Sequence, residues 1–188
     1  MELSRDGQSW RIGTALDVAW LADRPGGVTV ATAMPLVFEA YGTFDKPDHG
    51  AEGDHERAVV DVLRRNTPEQ PWWLGYLDTG AHDVVFLSAP RVSLYWDWPY
   101  VLVQAGPDEA LGWRTGHMRG GMHGALPDLF FPVDRSWVVS GLWDDTWNCV
   151  GGPEVLLDSS RASRSPTHAV CSRTGTPYRL VAPATDAR

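Results

Sequence analysis

The chain has 188 residues and a mass of 20.7 kDa, which is room for one ordinary domain. Hydrophobic residues make up 43% and charged residues 21%, so a fibrous or mainly disordered chain is excluded. The formal net charge is −8, which disfavours nucleic acid as a partner because phosphate binding needs a surplus of positive charge.

The ends of the chain and its cysteines predict a cytoplasmic protein that does not contact a membrane. No basic segment followed by an apolar one begins the sequence, so we expect no signal peptide. No run approaches the length of apolar residues that a transmembrane helix requires. Only Cys149 and Cys171 are present, without the paired spacing of a zinc site or a disulfide framework.

Charge and tryptophan content divide the chain near Asp158. Residues 1–157 carry all ten Trp and have 22 Asp and Glu against 11 Lys and Arg, a net charge of −11. We predict a compact, acidic, Trp-rich domain there. Residues 158–188 carry five Arg against two Asp and are rich in Ser, Thr and Pro, which predicts a basic, disordered tail. A basic arm for an acidic partner, or a C-terminus altered by a frame change, remain open alternatives for the tail.

The first half of the chain predicts two helices and two strands. Thr14-x-x-Asp17 is a helix start signal. Residues 28–33 and 36–44 are rich in β-branched and aromatic residues and predict strands. The clearest helix is predicted over 54–66, with Asp54 as its N-cap. The apolar stripe of this helix consists of Val59, Val62 and Leu63.

The second half predicts mainly short strands separated by turn residues. These strands are expected over 72–77, 84–87, 91–96 and 100–104, followed by a hairpin formed by 136–143 and 146–150. Short helices are expected over 107–114 and from Pro153 into Leu157. Because helices and strands do not alternate regularly, we predict a single α+β domain with a mainly antiparallel sheet and two or three short helices.

No common catalytic or metal-binding signature is complete in this sequence. His55-Glu56 begins like the zinc motif HExxH, but Val59 stands where the second His is required. His117 and His123 lie in a Gly-rich stretch beside two Met, a pattern that suits copper(I) or a plain flexible loop. Cys149 lies in an apolar strand, where a thiol is inert. We therefore predict no catalytic residue, no metal and no cofactor, and favour a protein that is not an enzyme.

The ten tryptophans are the most informative feature. Trp20, Trp113 and Trp137 sit beside aliphatic residues and are expected in or near the core. Trp72 and Trp73 follow each other on a strand, where successive side chains point to opposite faces. We therefore expect that they do not both point inward.

Other tryptophans lie beside carboxylates, and exposed aromatics near carboxylates mark an interface or a ligand groove. The candidate binding residues are Trp72, Trp73, Asp78, Trp96, Asp97, Trp98, Trp143, Asp144, Asp145 and Trp147. Two structural interpretations remain open: the Trp residues form an aromatic core, and the Asp residues stabilise turns.

Three stretches, 71–80, 98–107 and 126–152, resemble a family of uncharacterised actinobacterial proteins, with the likeness covering residues 10–157. The acidic α+β character and the turn Leu126-Pro127-Asp128 are more loosely similar to the SUKH group of immunity proteins. The first resemblance implies a cytoplasmic bacterial setting but no activity, and the second implies binding to another protein.

These observations lead to two functional hypotheses. The first is a non-enzymatic, immunity-like domain whose acidic, aromatic face docks a basic protein. The alternative is a carbohydrate-binding or glycoside-hydrolysing site, in which Trp96 or Trp98 stacks on a sugar. In that alternative, Asp97, Asp144 or Asp145 bind the hydroxyl groups or act on the glycosidic bond. The oligomeric state is not predicted.

Overall fold

The computed structural model describes residues 1–21, 34–45, 52–80, 85–95, 97–114, 126–141, 147–162 and 167–172. These ranges contain ten strands and four helices. The strands are β1 (Glu2–Arg5), β2 (Gln8–Ile12), β3 (Ala40–Asp45), β4 (Trp72–Leu77), β5 (Val92–Leu94), β6 (Trp98–Ala105), β7 (Leu129–Pro132), β8 (Val138–Gly141), β9 (Trp147–Gly152) and β10 (Thr167–Ser172). The helices are α1 (Ala15–Val18), α2 (Glu52–Arg65), α3 (Pro107–Gly112) and α4 (Glu154–Ala162).

The strands form one sheet in the order β1-β2-β6-β4-β7-β8-β9-β3-β10, and β5 also pairs with β6. Every strand pair in the described residues is antiparallel. The predicted α+β class with a mainly antiparallel sheet is therefore confirmed.

Strand β6 pairs with three other strands. β4 follows one edge of β6 from Leu77↔Tyr100 to Trp72↔Ala105. The opposite edge is shared by two strands, because β5 pairs with residues 98–100 and β2 pairs with residues 103–104. One end of β6 therefore carries the β5–β6 hairpin, and the other end carries β2.

All six residues of β4 are buried, including both Trp72 and Trp73. Trp72 packs in one apolar cluster with residues of α2, α3 and α4. Trp73 packs in a second cluster with Val18 of α1 and Phe38. The expectation that the two do not both point inward is wrong. Their side chains do alternate, but both faces of the sheet are covered at this strand.

Helix α2 confirms the predicted helix over 54–66, although it begins at Glu52 rather than after an N-cap at Asp54. Val62 and Leu63 of the predicted stripe are buried, and Val59 is half-buried. Glu56, the acidic residue of the incomplete HExxH motif, is also buried and accepts a hydrogen bond from Leu126 N–H (3.3 Å).

Several predicted boundaries differ from those of the structure. Residues 85–87 form a turn rather than a strand, and Phe86 has a φ of 59° there. The strand predicted over 28–33 and the predicted metal-binding candidates His117 and His123 lie outside the described residues.

The domain boundary predicted after Leu157 falls inside α4, which continues to Ala162, and β10 further along the chain pairs with β3. Leu156 and Leu157 are buried and pack the start of α4 against the sheet. Residues 173–188 lie outside the described residues.

A buried ion pair ties three elements together beside β4. Arg114, only 5% exposed, follows α3 and pairs with Asp128, which precedes β7. Asp128 Oδ2 also accepts a hydrogen bond from Leu77 N–H at the end of β4 (2.8 Å). The guanidinium lies 5.0 Å from the ring centroid of Tyr76. The pair therefore fixes the chain after α3 to both β4 and β7.

We expect Asp128→Asn to lower the free energy of unfolding by about 3 kcal/mol, because it removes the negative charge that pairs with the buried Arg114. The matched control is Asp54→Asn, which removes an ion pair with Arg57 whose two side chains are 94% and 62% exposed. That control should cost less than about 1 kcal/mol. Urea denaturation at neutral pH measures both, and equal losses would contradict a stabilising role of the buried pair.

Candidate functional site

The tip of the β5–β6 hairpin has an unusual backbone. Leu94 pairs with Trp98, so only residues 95–97 form the loop. Tyr95 has a φ of 42° and Asp97 a φ of 65°, both in the left-handed region. Asp is tolerated there, whereas a bulky Tyr seldom is. Such strained conformations concentrate at functional sites, so the hairpin tip is a candidate.

Tyr95 connects the hairpin tip to a neighbouring part of the sheet. Ser140 Oγ donates a hydrogen bond to Tyr95 OH (3.3 Å), and Ser140 is buried in β8 opposite Cys149 of β9. Burial raises the pKa of Tyr95 to about 12, so its hydroxyl remains protonated at neutral pH. The hairpin tip therefore lies beside the paired strands β8 and β9, and Trp147 is the first residue of β9.

The hairpin tip and Trp147 together define the hairpin patch, which consists of Tyr95, Asp97, Trp98 and Trp147. Trp98 and Trp147 are both half-buried and pack against the same apolar cluster, so each also has an exposed part. Tyr95 and Trp98 of the hairpin and Trp147 of β9, which are distant in sequence, therefore pack against one apolar cluster. The predicted site residues near them in sequence, Trp96, Trp143, Asp144 and Asp145, lie outside the described residues.

Asp97 is the free carboxylate of the patch. It is exposed, and within the described part of the chain its side chain makes no hydrogen bond or ion pair. An exposed carboxylate beside half-exposed indoles can bind a cation or a hydroxyl group without first breaking an internal contact.

The side chain of Asp78, another predicted site residue, forms an ion pair and a hydrogen bond within the protein. Its carboxylate pairs with Arg91 Nε (2.6 Å) and accepts a hydrogen bond from Gly80 N–H (3.0 Å). Partial burial raises its pKa, but these two interactions outweigh that effect and the pKa lies below its ordinary value. Trp72 and Trp73 are buried, as described above. These three residues do not contribute to an exposed site, because the fold uses their side chains internally.

An open groove of about 560 Å³ lies at the opposite end of β6. Its lining includes Glu2, Ser9, Trp10, Glu69, Gln70 and Gln104. The sequence analysis missed this groove because it predicted neither β1 nor β2. The signal was present: Asp6-Gly7 is a typical two-residue hairpin turn, and both residues have positive φ, 54° and 77°.

Within the described residues, no group of three or more His, Cys, Asp or Glu side chains is arranged to hold a metal ion. None of the described helices combines the length and apolar character needed to span a membrane. Cys149 is buried and forms no disulfide with any described residue.

The fold defines an α+β protein, and comparison with known proteins adds no relative. No family model, no curated protein and no solved structure matches the chain. The resemblances to the actinobacterial family and to the SUKH group therefore stay predictions.

We expect Asp78→Asn to lower the free energy of unfolding at pH 7 by about 1 kcal/mol, because it removes a charged hydrogen-bond acceptor. The pKa of Asp78 is lowered in the folded state, so this contribution is present above the ordinary value of 3.8. It is lost as the pH falls through the folded-state pKa. Unfolding free energies of both proteins across this range measure the effect, and a difference independent of pH would contradict the assignment.

Proposed function

We propose that this protein is a non-enzymatic binding domain that docks a basic protein partner through the hairpin patch. The observation that carries the proposal is the exposed carboxylate of Asp97, which lies next to Trp98 in the loop of the β5–β6 hairpin and has a positive φ. Aromatic side chains supply contact area, and the unengaged carboxylate supplies a site for a Lys or Arg side chain.

The charge of the chain supports this choice of partner. The net charge of −11 over residues 1–157 attracts basic proteins over a distance comparable with the Debye length. Ion pairs such as Arg64–Asp108 are already counted in this net charge and do not reduce it. Attraction of this kind accelerates association and weakens as salt is added.

A sugar site remains the alternative, with Trp98 stacking on a ring and Asp97 binding hydroxyl groups. A glycosidase needs two carboxylates on either side of the bond. Among the residues that the structure describes, the hairpin patch supplies one, Asp97, and the other predicted carboxylates, Asp144 and Asp145, lie outside those residues.

The test compares Asp97→Asn with Asp61→Asn, an exposed carboxylate on α2. Both variants remove one negative charge, so long-range attraction falls equally and only the local contact differs. On an array of synthetic peptides graded in net charge, we expect retention to rise with positive charge and to fall with salt. Asp97→Asn should weaken the best peptide about fivefold, which corresponds to about 1 kcal/mol, relative to Asp61→Asn.

Two outcomes would overturn the docking proposal. Equal effects of the two variants would show that only overall charge matters. Retention of neutral oligosaccharides on a parallel array, lost in Asp97→Asn, would favour the sugar alternative instead. Trp98→Phe, which keeps an aromatic ring, shows whether the indole itself contributes.

A further inference from the structure

The groove forms where β2 and β6 separate. β2 pairs with β6 only at Arg11↔Gln104 and Ile12↔Val103, because β6 ends at Ala105. The chain then turns into α3, and Gly106 N–H donates a hydrogen bond to Glu109 Oε2 (2.9 Å) instead of pairing with β2. The edge of β2 therefore extends past the end of its neighbour.

The hydrogen-bond alternation of β2 shows which backbone groups face this opening. Ile12 N–H donates to Met1 O (2.9 Å) on the β1 side, and Gly13 N–H donates to Leu102 O (2.7 Å) on the β6 side. In a strand, the N–H and C=O groups of successive residues point to opposite edges. Ser9 lies four residues before Gly13, so its N–H and C=O point to the same edge as those of Gly13, toward the β6 side. Gly106 has turned away, and Ser9 lines the groove. The groove thus offers one unpaired strand position.

The side chains give the groove a negative charge. Glu2 and Glu69 line it and are both exposed. Arg11 also lines the groove, but its guanidinium pairs with Asp17 (3.3 Å) and lies 5.0 Å from the ring centroid of Trp73. Its charge is therefore partly satisfied within the protein, whereas Glu69 has no ion pair among the described residues.

Trp10 supplies a fixed aromatic surface in the groove. Its indole N–H donates to Arg5 O (3.2 Å). Its ring meets Trp113 edge-on, with centroids 5.0 Å apart. The side chain is half-buried, so it is held in place and still exposes part of its surface.

We propose that this groove binds a short, extended, basic peptide segment. The segment pairs its main chain with Ser9 as an added strand and places a Lys or Arg side chain near Glu2 and Glu69. The aliphatic part of that side chain packs on Trp10. The charge of the groove and the open strand position together select this occupant. The groove lies at the end of β6 opposite the hairpin patch, so the inference does not depend on the proposed function.

The probe is the acetylated, amidated pentapeptide Thr-Arg-Val-Lys-Thr, titrated into the isotope-labelled full chain and followed by amide NMR. We expect the largest shifts at Ser9, Trp10 and Gly106. The variant Glu2→Gln/Glu69→Gln should weaken the dissociation constant at least fivefold. The matched control Asp61→Asn/Glu154→Gln, which removes two exposed charges elsewhere, should change it less than twofold. Methylating the central amide nitrogen of the peptide should also weaken binding, because that blocks strand pairing.

Several outcomes would overturn the groove proposal. Shifts confined to the hairpin patch, or equal effects of the two double variants, would assign the binding to another surface or to overall charge. Equal binding of Thr-Gln-Val-Gln-Thr would remove the cation from the argument. Displacement by spermidine at equal concentration would show that only a mobile polycation is attracted. No shift at millimolar peptide would remove the site, while leaving the hairpin patch to its own test.

Discussion

The central constraint of this structure is that β4 is buried on both faces. All six of its residues are buried. Helices α2, α3 and α4 cover one face, and α1 together with the segment around Phe38 covers the other. Two consecutive Trp residues can then both be buried without breaking the alternation of a strand. The ion pair of Arg114 with Asp128 stabilises the same region, because Asp128 also binds the last residue of β4. The hairpin patch and the groove lie at opposite ends of β6, the strand that pairs with β4.

The sequence predicted those parts of the fold that depend on local pattern. The strand over 72–77 and the helix α2 have clear periodicity and turn residues at their ends, and both are present. Burial of Trp72 and Trp73 depends instead on what covers each face, which no local pattern records. The same holds for Arg114 and Asp128, which lie 14 residues apart and meet only through the sheet. The prediction from sequence failed mainly for contacts between residues that are far apart in the chain, and less for the type of secondary structure.

The candidate site shows the same division. Asp97 and Trp98 were predicted from their neighbourhood in sequence, and the structure leaves both at least partly exposed. Asp78 has a similar local pattern, but Arg91 thirteen residues later takes its carboxylate. The strands β1 and β2 have mostly exposed residues, so their hydrophobic pattern is weak and the groove beside them was missed. The local signal for these two strands is the Asp6-Gly7 turn, in which both residues have positive φ. Few residue types adopt that conformation at two successive positions.

The hairpin patch and the groove lie at the two ends of β6, whose eight residues span about 26 Å at the rise of a β-strand. A small ligand cannot reach both sites, whereas a folded protein with an extended basic segment can. Between the two ends, residues 100–103 of β6 are fully buried and pair with β4. The changes in binding free energy caused by substitutions at the two ends should therefore be additive, as expected for positions without a shared contact. If both sites contact the same protein, the gain in affinity comes from the linkage of two contacts in one partner and requires no switch in this fold.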